Sequence, residues 1–339
     1  MRRALLLLVV AAGCGGKQKS TTPPPPLPEP KTAETPKPAE DKPKKEEPPP
    51  LPAGPIETSI DAPKVTVKLV NPGKGKKAPL KITPKAGLKQ QVELALDFRG
   101  KTTGGIGDAE DVMHTVVLSG EAEVKNVDKD GNADYQLTVS TTDARTASGA
   151  SMPLDQAKQV VSSLQGMLIT GTIHPDGSSG SVKLSVQKPQ QMTQGAISLI
   201  KMAMPTLPVV PKEPIATGAK WTVTATGIKL ADQLEVTQTT EYQLVSHKGN
   251  SWTIKGTTKV SGADKTIDTP PQGGQPATKT KFTKIAGSGS LESTIVDGAL
   301  YPTLKTELQT GFTVTLSAAD KSMEGTLDMK QGATITPKQ

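Results

Sequence analysis

Strict alternation of apolar and polar residues dominates the chain from about residue 64 onward. Val92-Glu93-Leu94-Ala95-Leu96-Asp97-Phe98, Tyr135-Gln136-Leu137-Thr138-Val139, Val182-Lys183-Leu184-Ser185-Val186, Tyr242-Gln243-Leu244-Val245, Trp252-Thr253-Ile254-Lys255 and Phe312-Thr313-Val314-Thr315-Leu316 all read this way. A period of two puts successive side chains on opposite faces of a half-buried strand. Between these runs lie Asp130-Gly131-Asn132, Asp176-Gly177, Lys248-Gly249-Asn250 and Asp297-Gly298, residues that accept positive φ. The pattern predicts a mainly β (α+β) protein: an antiparallel, hairpin-rich, curved sheet or sheets, with helices as a minority.

Two stretches change period. Leu154, Ala157, Val160, Val161, Leu164 and Leu168 recur at helical spacing after Ser151 and Pro153, which predicts a helix over 152–166. Met192, Ala196, Leu199, Ile200 and Ala203 form a second apolar stripe that stops at Pro205. Both are amphipathic and need a sheet face to cover. Met192, Met202 and Met204 read as ordinary core packing, with a flexible ligand surface as the alternative.

The chain also resembles itself. Lys85 to Val92 and Thr217 to Val223 each lead a glycine through a lysine into a strand. The turn at Gly131 is echoed at Gly249, and Gly171-Thr172-Ile173-His174-Pro175-Asp176-Gly177 at Ser293-Thr294-Ile295-Val296-Asp297-Gly298. The order is kept, so two similar halves, 64–186 and 216–339, are expected on either side of a helix and proline-rich joint over 187–215.

Ahead of the globular part the composition shifts. Residues 15–63 hold 15 of the 30 prolines and few apolar residues larger than Ala. Such a segment cannot bury enough surface to offset its ordering entropy, so 14–63 is expected to be a disordered linker. Some 50 residues of extended polyproline character would reach on the order of 150 Å. A spacer is the expected role; recognition by proline-binding modules is the weaker alternative.

Before that linker come Arg2 and Arg3, an apolar run from Leu5 to Val10, and Ala11-Ala12-Gly13-Cys14. A basic start, a short apolar core and small residues at a cut site make a secretory signal over 1–13. The core falls short of the roughly 20 apolar residues of a spanning helix. Ala11-Ala12-Gly13-Cys14 resembles the lipobox of bacterial lipoproteins, departing from it only where Ala11 replaces the commoner Leu. That resemblance implies cleavage before Cys14, diacylglycerol on its sulfur, and a lipid-anchored place in the cell envelope. Gly15, in the position that sorts such proteins, implies the outer membrane. An ordinary secretory signal with an incidental cysteine is the alternative.

The segment Pro211-Lys212-Glu213-Pro214-Ile215-Ala216-Thr217-Gly218-Ala219-Lys220-Trp221, with the Gly-x-Gly strand at Gly287 and Gly289, resembles a group of uncharacterised β-rich bacterial lipoproteins. The resemblance implies architecture and no catalytic residues. A curved antiparallel sheet with helices over its concave face is also similar, more distantly, to periplasmic lipoprotein-carrier proteins.

Candidate chemistry is sparse. His114, His174 and His247 are far apart and lack metal-ligand spacing. No Gly-x-Ser-x-Gly elbow occurs, and Gly104-Gly105-Ile106-Gly107 lacks the context of a phosphate loop. Asp128, Asp130, Asn132 and Asp134 alternate as calcium ligands do, but Gly131 is fourth rather than sixth and Val139 stands where a bidentate Glu belongs. A plain hairpin turn is the competing reading. The net charge of +7 is spread among acidic neighbours, without basic runs carrying aromatics, so a nucleic-acid partner is not expected.

Taken together, the sequence predicts a membrane-anchored, non-enzymatic binding or scaffold module, with the membrane as partner through the lipid on Cys14 and an envelope protein or an apolar ligand as the further candidates. The rival is a carrier or chaperone for lipid or another apolar ligand, and third stands an unrecognised hydrolase. No cofactor is expected; calcium at the Asp128 to Asp134 turn is the weaker alternative to a plain hairpin.

Overall fold

A computed structural model describes residues 54–190, 192–231, 234–271, 277–318 and 321–338. The signal, Cys14 and most of the expected linker lie outside the described residues. Fifteen strands form one antiparallel sheet. They are β1 (Ile56–Ile60), β2 (Lys64–Asn71), β3 (Lys89–Gly104), β4 (Ala109–Val112), β5 (Thr115–Val127), β6 (Ala133–Arg145), β7 (Leu168–Ile173) and β8 (Val182–Val186). The rest are β9 (Lys220–Ala231), β10 (Leu234–Lys248), β11 (Ser251–Ser261), β12 (Lys265–Thr269), β13 (Thr278–Val296), β14 (Thr303–Ala318) and β15 (Lys321–Lys338). Helix α1 (Leu154–Ser162) lies between β6 and β7, and α2 (Thr193–Ala203) between β8 and β9.

The path across the sheet is β1-β8-β7-β6-β5-β3-β15-β14-β13-β11-β10-β9-β2, with β4 on β3 and β12 on β13. Two meanders, β3-β5-β6-β7-β8 and β9-β10-β11-β13-β14, run in the same sense. Their leading glycines have φ of +78° at Gly87 and +84° at Gly218, and the paired hairpin glycines are also left-handed. The halves are alike and share one sheet, because β15 pairs β3 from Gly325↔Gly104 to Lys338↔Gln91.

β15 separates one meander from the next, and residues 56–71 occupy the equivalent place on the other side. β1 pairs β8, β2 pairs β9, and Asp61-Ala62-Pro63 is the break between them. Four Cα steps from Ile60 to Lys64 span at most about 14 Å. The two ends of the sheet path therefore meet at a seam, and the sheet is curved but unclosed.

Alternation fills the concave face. On β14 the even positions Leu304, Leu308, Phe312 and Val314 join apolar cores, while Thr310 between them is a buried polar residue. One core, around Leu118, Leu184, Trp221, Leu244 and Trp252, takes both helices; a second, around Phe98, Phe282, Phe312 and Met329, lies in the same strands.

Several expectations are corrected. The linker stops short of residue 63, because Ile56 and Ile60 pack half-buried on the main core from β1. The first helix is shorter than 152–166: its chain turns out through Leu164 and Gly166, whose φ is +80°, and Leu168 belongs to β7. The buried face of α2 is Thr193, Ala196, Ile197 and Ile200, whereas Met192 precedes the helix and is 49% exposed. The proline-rich joint also contributes to the core, with Leu207, Val209, Val210 and Ile215 buried in it.

Candidate functional site

The end of the joint runs beside residues 72–78. Ile215 pairs Ala78, and the Val210 amide donates to the Asp176 carbonyl at 2.8 Å. Trp221, 1% exposed, donates its indole N–H to the Val209 carbonyl at 2.8 Å and stacks on Tyr242. The Pro-aliphatic-x-x-Gly-x-x-Trp motif is therefore a structural clasp: Gly218 makes the left-handed turn and Trp221 pins the segment it leads from.

The three histidines have separate local roles. His114 is buried, with Nδ1 accepting from the Ala147 amide and Nε2–H donating to the Met152 carbonyl, so it holds loop 146–152 onto β5. His247 stacks on Trp252 at 3.5 Å, and the Trp252 indole donates to Asp297. His174 bonds Asn132 Oδ1 at 2.7 Å. Among the described residues no three His, Cys, Asp or Glu side chains gather as a metal centre would require.

The Asp128 to Asp134 set forms the β5–β6 hairpin turn. Asp128 Oδ1 accepts the amides of Asp130 and Asn132, and its Oδ2 accepts the Asn132 side-chain amide. Those bonds hold the Asp128 carboxyl below its ordinary range, the Asn132 side chain contributing most. Asn132 Oδ1 faces His174, and Asp134 Oδ1 accepts from Thr172. Asp128, Asn132 and Asp134 therefore spend side-chain oxygens on contacts within and beside the hairpin, and Asp130 joins the turn through its backbone amide.

Two concave features stand out among the described residues. Beneath the C-terminal end of α2, between Met204, Gln238, Thr240, Thr258 and Gln331, is a cavity of about 80 Å³. Small-molecule sites usually occupy roughly 300 to 1,000 Å³. The sheet and helix pack against each other there, and the Thr240 and Thr258 hydroxyls share one hydrogen bond at 2.9 Å.

The larger feature is the seam, which sequence reasoning missed. A cleft of about 530 Å³ separates the outer edge of β2 from the β7–β8 hairpin, with Val65, Val67, Asp176, Ser179, Lys212 and Glu213 on its walls. Asp176 is held inside the hairpin, accepting from the Ser178 amide and hydroxyl. Gly177, at φ +83°, abuts the Pro208 carbonyl, so the hairpin wall is fixed by the joint. On the opposite wall β2 has no neighbour beyond β9. The inward row Val65, Val67 and Leu69 is only half-buried, unlike Val223 on β9 at 5%. Length and alternation announce a strand, but they carry no mark of an empty place beside it.

Charge is distributed unevenly around this cleft. Ion pairs join Lys183 to Glu57 beside β1 and Lys229 to Asp61 at the break, and the ammonium of Lys229 holds Asp61 below the usual carboxylate range. Lys64 and Lys68 on β2, with Lys74, Lys76 and Lys77 just beyond it, are exposed and have no ion-pair partner among the described residues.

Residues 182–312, from β8 into β14, match a family of unknown function (DUF6263). The matched span includes α2, the joint and the Trp221 clasp. No curated protein matches the chain.

Proposed function

We propose that this protein is a lipid-anchored module of the bacterial cell envelope that works by binding through its outer surface, without catalysis and without carrying a ligand in its interior. The observation that carries this reading is the filled concave face: helix α2 buries Ala196, Ile197 and Ile200 in the core and leaves about 80 Å³ beside it. A carrier of lipid needs several times that space in the form that holds its cargo. The scattered histidines, each engaged locally, support binding over hydrolysis.

Anchoring follows from Cys14 and its lipobox-like setting. Two or more acyl chains make membrane attachment stable where one does not. The linker then lets the module range from the membrane while remaining confined to it. No helix among the described residues is long and apolar enough to cross a membrane. Fractionation of cells expressing the wild type and Cys14→Ser tests the anchor. The wild type should sediment with membranes and the variant should be released in folded form; a Cys14→Ser protein that stays with the membrane contradicts it.

A further inference from the structure

We infer that the free edge of β2 is a docking site for an extended acidic segment of a partner protein, added to the sheet as a further strand. Three features converge on one line of backbone. β2 is the last strand of the sheet path, so one side of its amide and carbonyl ladder is open to the cleft. Its inward row Val65, Val67 and Leu69 is half-buried, and an added strand would complete its burial. Its outward row carries Lys64 and Lys68, which have no ion pair among the described residues, and three more exposed lysines follow at Lys74, Lys76 and Lys77.

Lysines on an edge strand also deter unwanted pairing. Elsewhere along the seam charges are matched: Glu57 on β1 by Lys183 on β8, and Asp61 in the break by Lys229 on β9. The β2 lysines have no such partner. A second copy pairing through the same edge would set lysine rows against each other, which is unfavourable for like charges across strands. An acidic strand places carboxylates beside Lys64 and Lys68, while its alternate apolar residues face Val65 and Val67.

This deepens the reading of the chain as a binding module and does not depend on the lipid. Failure of the peptide assay below leaves Cys14 anchoring intact, and failure of the Cys14→Ser fractionation leaves the β2 site intact. The probe is an acetylated, fluorescein-labelled octapeptide of alternating Glu and Val, titrated with the full chain at low salt and read by anisotropy. Controls are the Lys/Val peptide and the Glu/Val peptide N-methylated at every second residue, in each of the two phases. The Glu/Val peptide should bind at least about tenfold more tightly than Lys/Val, and Lys64→Glu/Lys68→Glu should weaken it by a similar factor. One N-methylated phase, the one whose amides face β2, should lose binding to the same extent.

No binding at about 1 mM peptide overturns the proposal. Equal binding of both N-methylated phases does so too, since attraction would then rest on charge alone. So does a dimer that forms through β2 and excludes the peptide, because the occupant would then be a second copy.

Discussion

Gln90 and Tyr301, 211 residues apart, clasp each other through both groups of one side-chain amide: Gln90 Oε1 accepts from the Tyr301 backbone N–H at 2.9 Å, and Gln90 Nε2 donates to the Tyr301 carbonyl at 3.3 Å. Gln90 starts β3 in the first half, and Tyr301 sits in the β13–β14 turn of the second. Gln90→Leu leaves both main-chain groups of a buried residue without partners. Each unsatisfied buried group costs about 1 to 3 kcal/mol, so denaturant unfolding should show a loss in that range or above. A loss under about 0.5 kcal/mol would mean that the clasp is not an internal support of the halves.

All three tyrosines of the protein are buried, and burial pushes each phenol up: Tyr242 to about 12, Tyr135 upward, and Tyr301 well above the ordinary value. Tyr135 and Tyr301 meet edge to face at 5.7 Å. A phenol whose folded pKa is raised contributes stability that is complete below the unfolded value near 10 and disappears as pH rises through the folded value. Absorbance at about 295 nm should therefore show no tyrosinate step around pH 10, and ionisation should coincide with loss of near-ultraviolet circular dichroism at higher pH. Titration near pH 10 in the still-folded protein would contradict the burial.

Glu93 runs the other way. Arg145 Nη2 at 2.6 Å and Lys338 Nζ at 3.1 Å hold its carboxyl below the usual range, the Arg145 hydrogen bond contributing most. A depressed carboxylate contributes stability present above the unfolded value near 4.3 and lost as pH falls through the lower folded value. Glu93→Gln should cost up to about 1 kcal/mol at pH 7, as expected for a largely solvated pair. The gap between variant and wild type should shrink steadily below about pH 4. An unchanged gap at pH 3 would show that the ion pairs are not its source.

Gly177 and Gly298 occupy matching turns in the two halves, at φ +83° and +79°. A Cβ at Gly298 meets nothing within 4 Å, whereas one at Gly177 would lie 2.3 Å from the Pro208 carbonyl oxygen. Gly298→Ala should cost about 1 to 2 kcal/mol for the left-handed backbone alone. Gly177→Ala adds an overlap with fixed backbone and should cost at least about 1 kcal/mol more. Equal costs by denaturation would argue against the joint packing on the β7–β8 hairpin.

The self-similarity at Gly87 and Gly218, Gly131 and Gly249, and Gly177 and Gly298 was legible because left-handed turns demand a few residue types at fixed places. Strand alternation was legible for the same kind of reason. Other features depend on contacts distant in sequence and leave no local trace. β1 hides in a proline-rich stretch because five residues, Ile56 to Ile60, are too few to show a period, and their partner is β8 some 126 residues on. The joint reads as a connection by its prolines, yet Val209 and Val210 are core: the Trp221 indole N–H donates to the Val209 carbonyl, and the Val210 amide donates to the Asp176 carbonyl. The seam is invisible for a further reason: β2 looks like every other strand until its missing neighbour is seen.

The central claim is that the concave face is filled by α2 and by side chains rather than by cargo. Native mass spectrometry of the full chain purified from membranes tests it most directly. The expected mass is that of the processed polypeptide with its covalent acyl groups and nothing more. A stoichiometric lipid that leaves on gentle collisional activation would contradict it, and would require α2 to move away from β3 and β15.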